Sequence, residues 1–379
     1  MDTSLLKQLI RTPSVFPNEK RLSQFISRWV DKNVPGVKKQ LQRVADMREN
    51  LMLSKGNNKK SILLIGHLDT IPVVSDWKTD PYTPIVKGGN LTGLGAWDMK
   101  AGLYIILQCL KKYNPKNITL KAAFTVDEEN YSQGAHALIK TEFSKNTVLI
   151  LVPEPGFTHG HYGITIGRTG RSTYTVLIRG KSAHGSKSYE GVNAISEAQI
   201  FIKEILTLKF PKDQSFGKTT LFPSMIQSSA KGFSVPDECE LELDCKLVYP
   251  DTPQTVFKKI NNMGKQLYGS KKLKYLPTVS YKKRPTPFCA PYKIDRNNHY
   301  VKLCKKIIEE VAGKSIAFYR ESVADECIYV EKLKIPAICI GPQGKNAHKA
   351  GESVNIQSIQ IVENIYLKLL EQIDKQNSE

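Results

Sequence analysis

The chain has 379 residues, 40% of them hydrophobic, and a formal net charge of +19. That length suits two domains better than one core, and no apolar run approaches the roughly 20 residues a membrane helix needs. Seven cysteines, an odd number with no Cys-x-x-Cys pair, argue against a disulfide framework and fit free thiols in a reducing cytoplasm. The opening residues, Met1 to Lys7, lack the basic start and apolar centre of a signal peptide. The lysines are spread along the chain and interleaved with acids, and no aromatic-basic motif of an RNA-binding module is present. The charge therefore reads as a solvated surface, able to attract an anionic substrate at long range. Neither a nucleic acid nor a membrane is an expected partner.

Taken in order, residues 4–11 read as a short helix broken at Thr12-Pro13-Ser14. Asn18 is placed to cap a second helix, whose apolar stripe is Leu22, Phe25, Ile26, Trp29 and Val30. Residues 40–54 look like two strands around a polar turn. Ile62 to Ile65 is an unbroken aliphatic run leading into Gly66-His67-Leu68-Asp69, the pattern of a strand buried on both faces. Residues 85–95 alternate like a hairpin with a Gly turn, and Ala101 to Tyr113 is a largely apolar helix. Leu120 to Val126 and Thr147 to Val152 are further buried strands. They end in Asp127-Glu128-Glu129 and in Pro153-Glu154-Pro155. Apolar strands separated by helices, each ending in potential ligands, predict an α/β domain with a site along one sheet edge.

The texture changes near residue 165. An alternating strand, a helix over 191–206, strands near 219–227 and 239–248, a helix over 252–265 and a strand over 274–281 follow in β-α-β-β-α-β order, that of a ferredoxin-like module. Residues 166–283 hold 19 Lys and Arg against 10 Asp and Glu. The first texture returns after Pro285 and Pro287, with a helix over 299–312, strands near 316–319 and 335–340, and a terminal helix over 356–373. The expected parse is one α/β domain, 1–165 and 284–379, with a mostly parallel central sheet, interrupted by an inserted α+β domain at 166–283.

His67, Asp98, Glu129, Glu154 and His348 all fall at strand ends or in adjoining loops. Two imidazoles and three carboxylates, one able to bridge, suit a pair of zinc ions. Such ions can share a water and lower its pKa, and a carboxylate beside them but not bound to them can serve as general base. Glu128-Glu129 offers a base and a ligand side by side. Spacing alone leaves the duller alternative open: solvated turns and polar strand ends.

The motifs and their order resemble the dinuclear-zinc aminoacylase and carboxypeptidase family, which includes acetylornithine deacetylase and succinyl-diaminopimelate desuccinylase. Gly66-His67-Leu68-Asp69-Thr70-Ile71-Pro72 resembles its first metal motif, and Gly93-Leu94-Gly95-Ala96-Trp97-Asp98-Met99-Lys100 its bridging-aspartate motif. Asp127-Glu128-Glu129 resembles its base-ligand pair. Gly180-Lys181-Ser182-Ala183-His184-Gly185 resembles the start of its lid domain, and Ala347-His348 with Glu352-Ser353-Val354 its last ligand region. The resemblance implies a lid and dimerisation role for 166–283. It implies two zinc ions per subunit, with cobalt or manganese as substitutes. His67 and Glu154 would hold one ion, Glu129 and His348 the other, with Asp98 bridging through a loop that is often cis after the aspartate. It also implies that Asp69 orients His67, that Glu128 is the base, and that His184 steadies an oxyanion in the partner subunit of a homodimer.

The departures concern substrate. Many members have Asn before the Val-Pro-Asp of the lid and Arg on the next strand, where this chain has Phe233 and Lys246. A lysine cannot clamp a carboxylate with a rigid fork. Arg320-Glu321-Ser322-Val323-Ala324 replaces the glycine-rich loop before Asp325, which with Lys246 is the expected substrate-gripping pair. The expected activity is hydrolysis of an N-acyl amino acid. A dipeptidase or carboxypeptidase acting on short peptides is the alternative, and a non-catalytic binder with a basic lid the remote one.

Overall fold

The structure is a computed structural model that describes residues 2–156 and 161–377. The chain forms two compact units. One comprises Met1–Ile166, Ile294–Tyr319 and Ala324–Glu379, and the other Gly167–Lys293 with Arg320–Val323.

The first unit is built on a mixed sheet. Ser61–His67 is buried along its whole length and runs parallel to Thr119–Thr125 on one side and Thr147–Val152 on the other. Thr147–Val152 is in turn parallel to Ala337–Cys339. The flanks are antiparallel. The hairpin Val37–Ala45 and Arg48–Lys55 joins through Thr119–Thr125, and Cys339 pairs with Thr165 of Tyr162–Arg168. Four parallel central strands aim their carboxyl ends at one edge, where open α/β sheets bind ligands.

The helix Ala101–Lys112 is buried from Ala101 to Leu110, so its polar-apolar contrast is weak; it packs against the strands and the terminal helix Ile356–Gln376. Gly102 lets it start against a strand end, because a Cβ there would lie 2.4 Å from the carbonyl of Pro153. A second, four-stranded sheet of Gly344–Lys345, Ser353–Asn355, Asn90–Thr92 and Ile85–Lys87 joins segments some 250 residues apart.

The second unit has the strand order 220–228, 238–247, 170–179, 278–281, all antiparallel, with helices Ala194–Ile205 and Pro253–Gly269 on one face. In order of sequence this is 2-3-1-4, the ferredoxin-like arrangement expected from the chain. Its core is Tyr174, Val176, Phe201, Leu241, Leu243 and Ile260. The opposite face follows the alternation of the strands. On Glu238–Leu247 the buried Cys239, Leu241, Leu243 and Cys245 alternate with Glu240, Glu242 and Asp244.

Asn18 does not cap the second helix. Lys20–Asn33 begins after Glu19, which makes no side-chain cap. The Glu19 carboxylate instead accepts from the buried Arg48 guanidinium. The short helix Glu326–Leu333 has no counterpart in the sequence pattern. Its first four residues are all buried, so it lacks the alternation that marks an amphipathic helix. All seven cysteines are free and buried. Among the described residues no helix is long and apolar enough to cross a membrane.

Candidate metal centre

His67 is the last residue of the central strand and is buried. Its Nδ1 lies 3.0 Å from the backbone carbonyl of Asp69. A carbonyl can only accept, so Nδ1 keeps its proton, and Nε2, which faces the Asp98 carboxylate, is the nitrogen left to bind a metal once its own proton is displaced. Asp69 thus orients His67 through its main chain, its carboxylate standing 3.6 Å away. That carboxylate accepts the backbone N–H groups of Glu128 at 3.2 Å and Glu129 at 2.9 Å. One residue fixes both an imidazole and the neighbouring acidic turn.

Asp98 lies in a wide helical turn, Ala96–Lys100, with extended backbone angles, and the peptide that follows it is cis. Its Oδ1 is 3.2 Å from His67 Nε2 and its Oδ2 is 3.3 Å from His348 Nε2. Each oxygen of one carboxylate therefore faces a different imidazole. Glu129 Oε1 is 3.0 Å from the same His348 nitrogen.

The small sheet explains how His348 reaches Asp98. Ser353–Asn355 pairs with Asn90–Thr92, and the preceding Glu352 meets the Asp98 turn. Its carboxylate accepts N–H groups from Gly95, Trp97 and Asp98, each at 2.8 Å. Sequence reading places Glu352 in a motif without giving it this task. The available signal was an acid just before a strand, too common to single out.

Among the described residues the potential ligand atoms fall into three groups within 4.8 Å: His67 with Glu128 and Glu129, Asp98 with Glu129 and His348, and Glu154 with Glu326 and Cys339. Asp98 joins the first two groups through His67. Glu154 is buried at the end of its strand, and its charge is the second cause, after burial, that raises Glu128. The structure brings His67, Asp98, Glu128, Glu129 and His348 together and sets Glu154 in an adjoining buried group.

The electrostatics are those of crowded acids. Burial, then Glu154, pushes Glu128 well above the usual carboxylate range. Burial would raise Asp98 too, but hydrogen bonds with His348 and His67 hold it well below that range. Hydrogen bonds to Asp98 and Glu129 lift His348 to about 10. Asp325, buried and facing the charges of His67, Asp69 and Glu154, is pushed up to about 8, chiefly by burial.

A set of carboxylate oxygens and imidazole nitrogens, with one carboxylate shared between two imidazoles, fits a pair of divalent cations.

His184 and Lys246 belong to the second unit. His184 Nδ1 accepts the N–H of Ser186 at 3.3 Å and lies 2.7 Å from the Ser186 hydroxyl. The neutral ring then carries its proton on Nε2, as a donor. The exposed Phe233 ring meets it edge-on at 5.5 Å. Lys246 is 2.9 Å from Glu321, so its ammonium already has a carboxylate.

A mixed α/β domain with acids and imidazoles at its parallel strand ends is the architecture of a metal-dependent amidohydrolase. Residues 63–372 match Peptidase family M20/M25/M40, and the chain belongs to that family. It is 24% identical to the succinyl-diaminopimelate desuccinylase of Pelagibacter ubique, over 97% of this chain and 98% of that protein. It is 27% identical to the acetylornithine deacetylase of Buchnera aphidicola, over 85% and 83%. In fold it is similar to the aminopeptidase PepT of Bacillus cereus, with a TM-score of 0.78 at 18% identity, covering 97% and 96%. The protein is thus an M20-family metallohydrolase.

Proposed function

We propose that this chain hydrolyses the amide bond of a small N-acyl amino acid at a two-zinc site. The observation that carries the reading is the Asp98 carboxylate, one oxygen toward His67 and the other toward His348. His67, Asp98, Glu129, Glu154 and His348 would hold the metals. Bound there, zinc would lower the pKa of an attacking water and polarise the scissile carbonyl.

The remaining work falls to the chain. Glu128 is half-buried, raised in proton affinity and close to the ligands without a required place among them. It takes the proton of the attacking water and returns it to the leaving amine. Asp69 holds the Glu128 N–H and, through its carbonyl, the ring of His67. His184, with its proton on Nε2, donates to the oxyanion in a partner subunit's site. Residues 166–283 serve as the lid and dimerisation module. The exposed Phe222 and Ile226 on the edge strand Thr220–Ser228 support a homodimer. Seven buried free thiols support a cytoplasmic protein.

Lys246 bears on substrate. Engaged by Glu321, it offers a substrate carboxylate neither a free ammonium nor a rigid fork. That favours an acyl group without its own carboxylate, and it keeps a short peptide as the second reading. A turnover screen of zinc- and cobalt-loaded protein over N-acetyl, N-succinyl and dipeptide substrates decides. N-acetyl amino acids should turn over fastest. Turnover of dipeptides alone would select the peptidase, and none with any class would reject both readings.

A further inference from the structure

The turn carrying Glu128 and Glu129 rests on a buried charge network that the proposed chemistry does not use. Arg48, at the start of Arg48–Lys55, is 5% exposed and Glu19 is fully buried. The guanidinium donates to both Glu19 oxygens, Nε to Oε2 at 3.0 Å and Nη2 to Oε1. The same Nη2 lies 3.5 Å from Asp127 Oδ1. The Phe16 ring covers the guanidinium, with its centroid 4.4 Å from Cζ. Asp127 Oδ2 accepts the backbone N–H of Gln133 at 3.2 Å and its side-chain amide at 2.8 Å.

Asp127 has a φ of 73°, a left-handed conformation that a non-glycine residue holds only where its surroundings over-determine it. Besides Gln133, the turn is gripped at two further points. Asp69 takes the N–H groups of Glu128 and Glu129, and Arg48 stands against the side chain of Asp127.

We propose that the Glu19–Arg48 pair is a positioning device. By anchoring Asp127 it sets the directions in which Glu128 and Glu129 leave the turn. The inference rests on the reading of Glu128 as base and Glu129 as ligand. A buried ion pair is a poor way to gain stability, because desolvation offsets the attraction and apolar replacements of similar volume often do as well. What apolar side chains cannot supply is a planar fork that reaches Glu19 and Asp127 together.

The test compares the parent with Glu19→Leu/Arg48→Met, which removes both charges, and with Arg48→Lys, which keeps a cation opposite Glu19 but loses the fork. Both should melt within a few degrees of the parent. In both, kcat at saturating metal should fall about 10²-fold, as expected for a misplaced catalytic group. KM should stay within roughly threefold, since substrate binding is untouched. The visible absorption of the cobalt-loaded variants should change shape, reporting a displaced Glu129.

Parental kcat and an unaltered cobalt spectrum in folded variants would overturn the positioning role while leaving the metal site standing. A parent that neither binds cobalt nor turns over amides would overturn the site reading, and the positioning role with it. Should the double variant fail to fold, Arg48→Lys decides by the same criteria.

Discussion

In the proposed mechanism Glu128 concentrates the chemistry in one carboxyl group. Burial and the Glu154 charge raise its proton affinity, which is what a base needs if it is to hold a proton until the amine leaves. Glu128→Gln keeps the shape and removes the basicity. We expect kcat to fall about 10²–10⁴-fold, with KM little changed, in steady-state assays of metal-loaded protein. Glu352 acts at one remove, holding three N–H groups of the turn that presents Asp98. Glu352→Ala should weaken metal affinity about 10–100-fold, measured by competition with a chelator. Unchanged affinity would show that the turn holds without it. His67 and Asp98 were singled out in the sequence as expected ligands because each lies in a recognisable motif. The use of the Asp69 carboxylate on a turn 60 residues away was not, since only folding brings that turn to it.

At the scale of elements, periodicity and apolar runs located the central strands and most helices, because burial on one or both faces leaves a mark in the order of residues. It failed where a side chain was committed to a distant partner. Asn18 looked like a cap, yet the helix starts one residue later, where Glu19 pairs with Arg48. It failed again at Glu326–Leu333, whose buried first turn removes the contrast a helix needs to be seen. The terminal helix carries a quantitative test. Asp374, 5% exposed, accepts from the Tyr113 hydroxyl at 2.5 Å and from the N–H groups of Lys116, Asn117 and Ile118 at 2.6–3.0 Å. Burial opposes the charge, but these bonds win and its pKa is lowered. A carboxyl depressed on folding stabilises above its unfolded pKa, and that stability is lost as pH falls through the folded value. Asp374→Ala should cost about 2–3 kcal/mol near neutral pH. In denaturant titrations the difference from the parent should shrink below about pH 4. A pH-independent difference would assign the loss to packing.

For the whole molecule, the proposed dimer makes a prediction no single chain can satisfy. Inactive His184→Ala and Glu128→Ala subunits, mixed and confirmed as heterodimers, should regain activity, because one composite site then holds both residues. No regain would confine His184 to its own subunit or remove it from the reaction. The expectation of two domains rested on the change of texture near residue 165 and the β-α-β-β-α-β order; that the second unit runs on to Lys293 and takes in Arg320–Val323 had no mark in the local pattern. The acyl group was not readable, because the positions that differ from the resemblance, Phe233 and Lys246, lie in the second unit. Their chemistry depends on partners such as Glu321, which no local pattern reveals.

The most direct measurement is a titration of chelator-stripped protein with cobalt, following visible absorption and amide hydrolysis together. The stripped protein should be inactive. Absorption should rise to two equivalents per chain, activity should return over the same range, and Asp98→Ala should lose both. Full turnover in stripped protein, or no cobalt bound at the Asp98 cluster, would contradict a metal-dependent hydrolase built around that carboxylate.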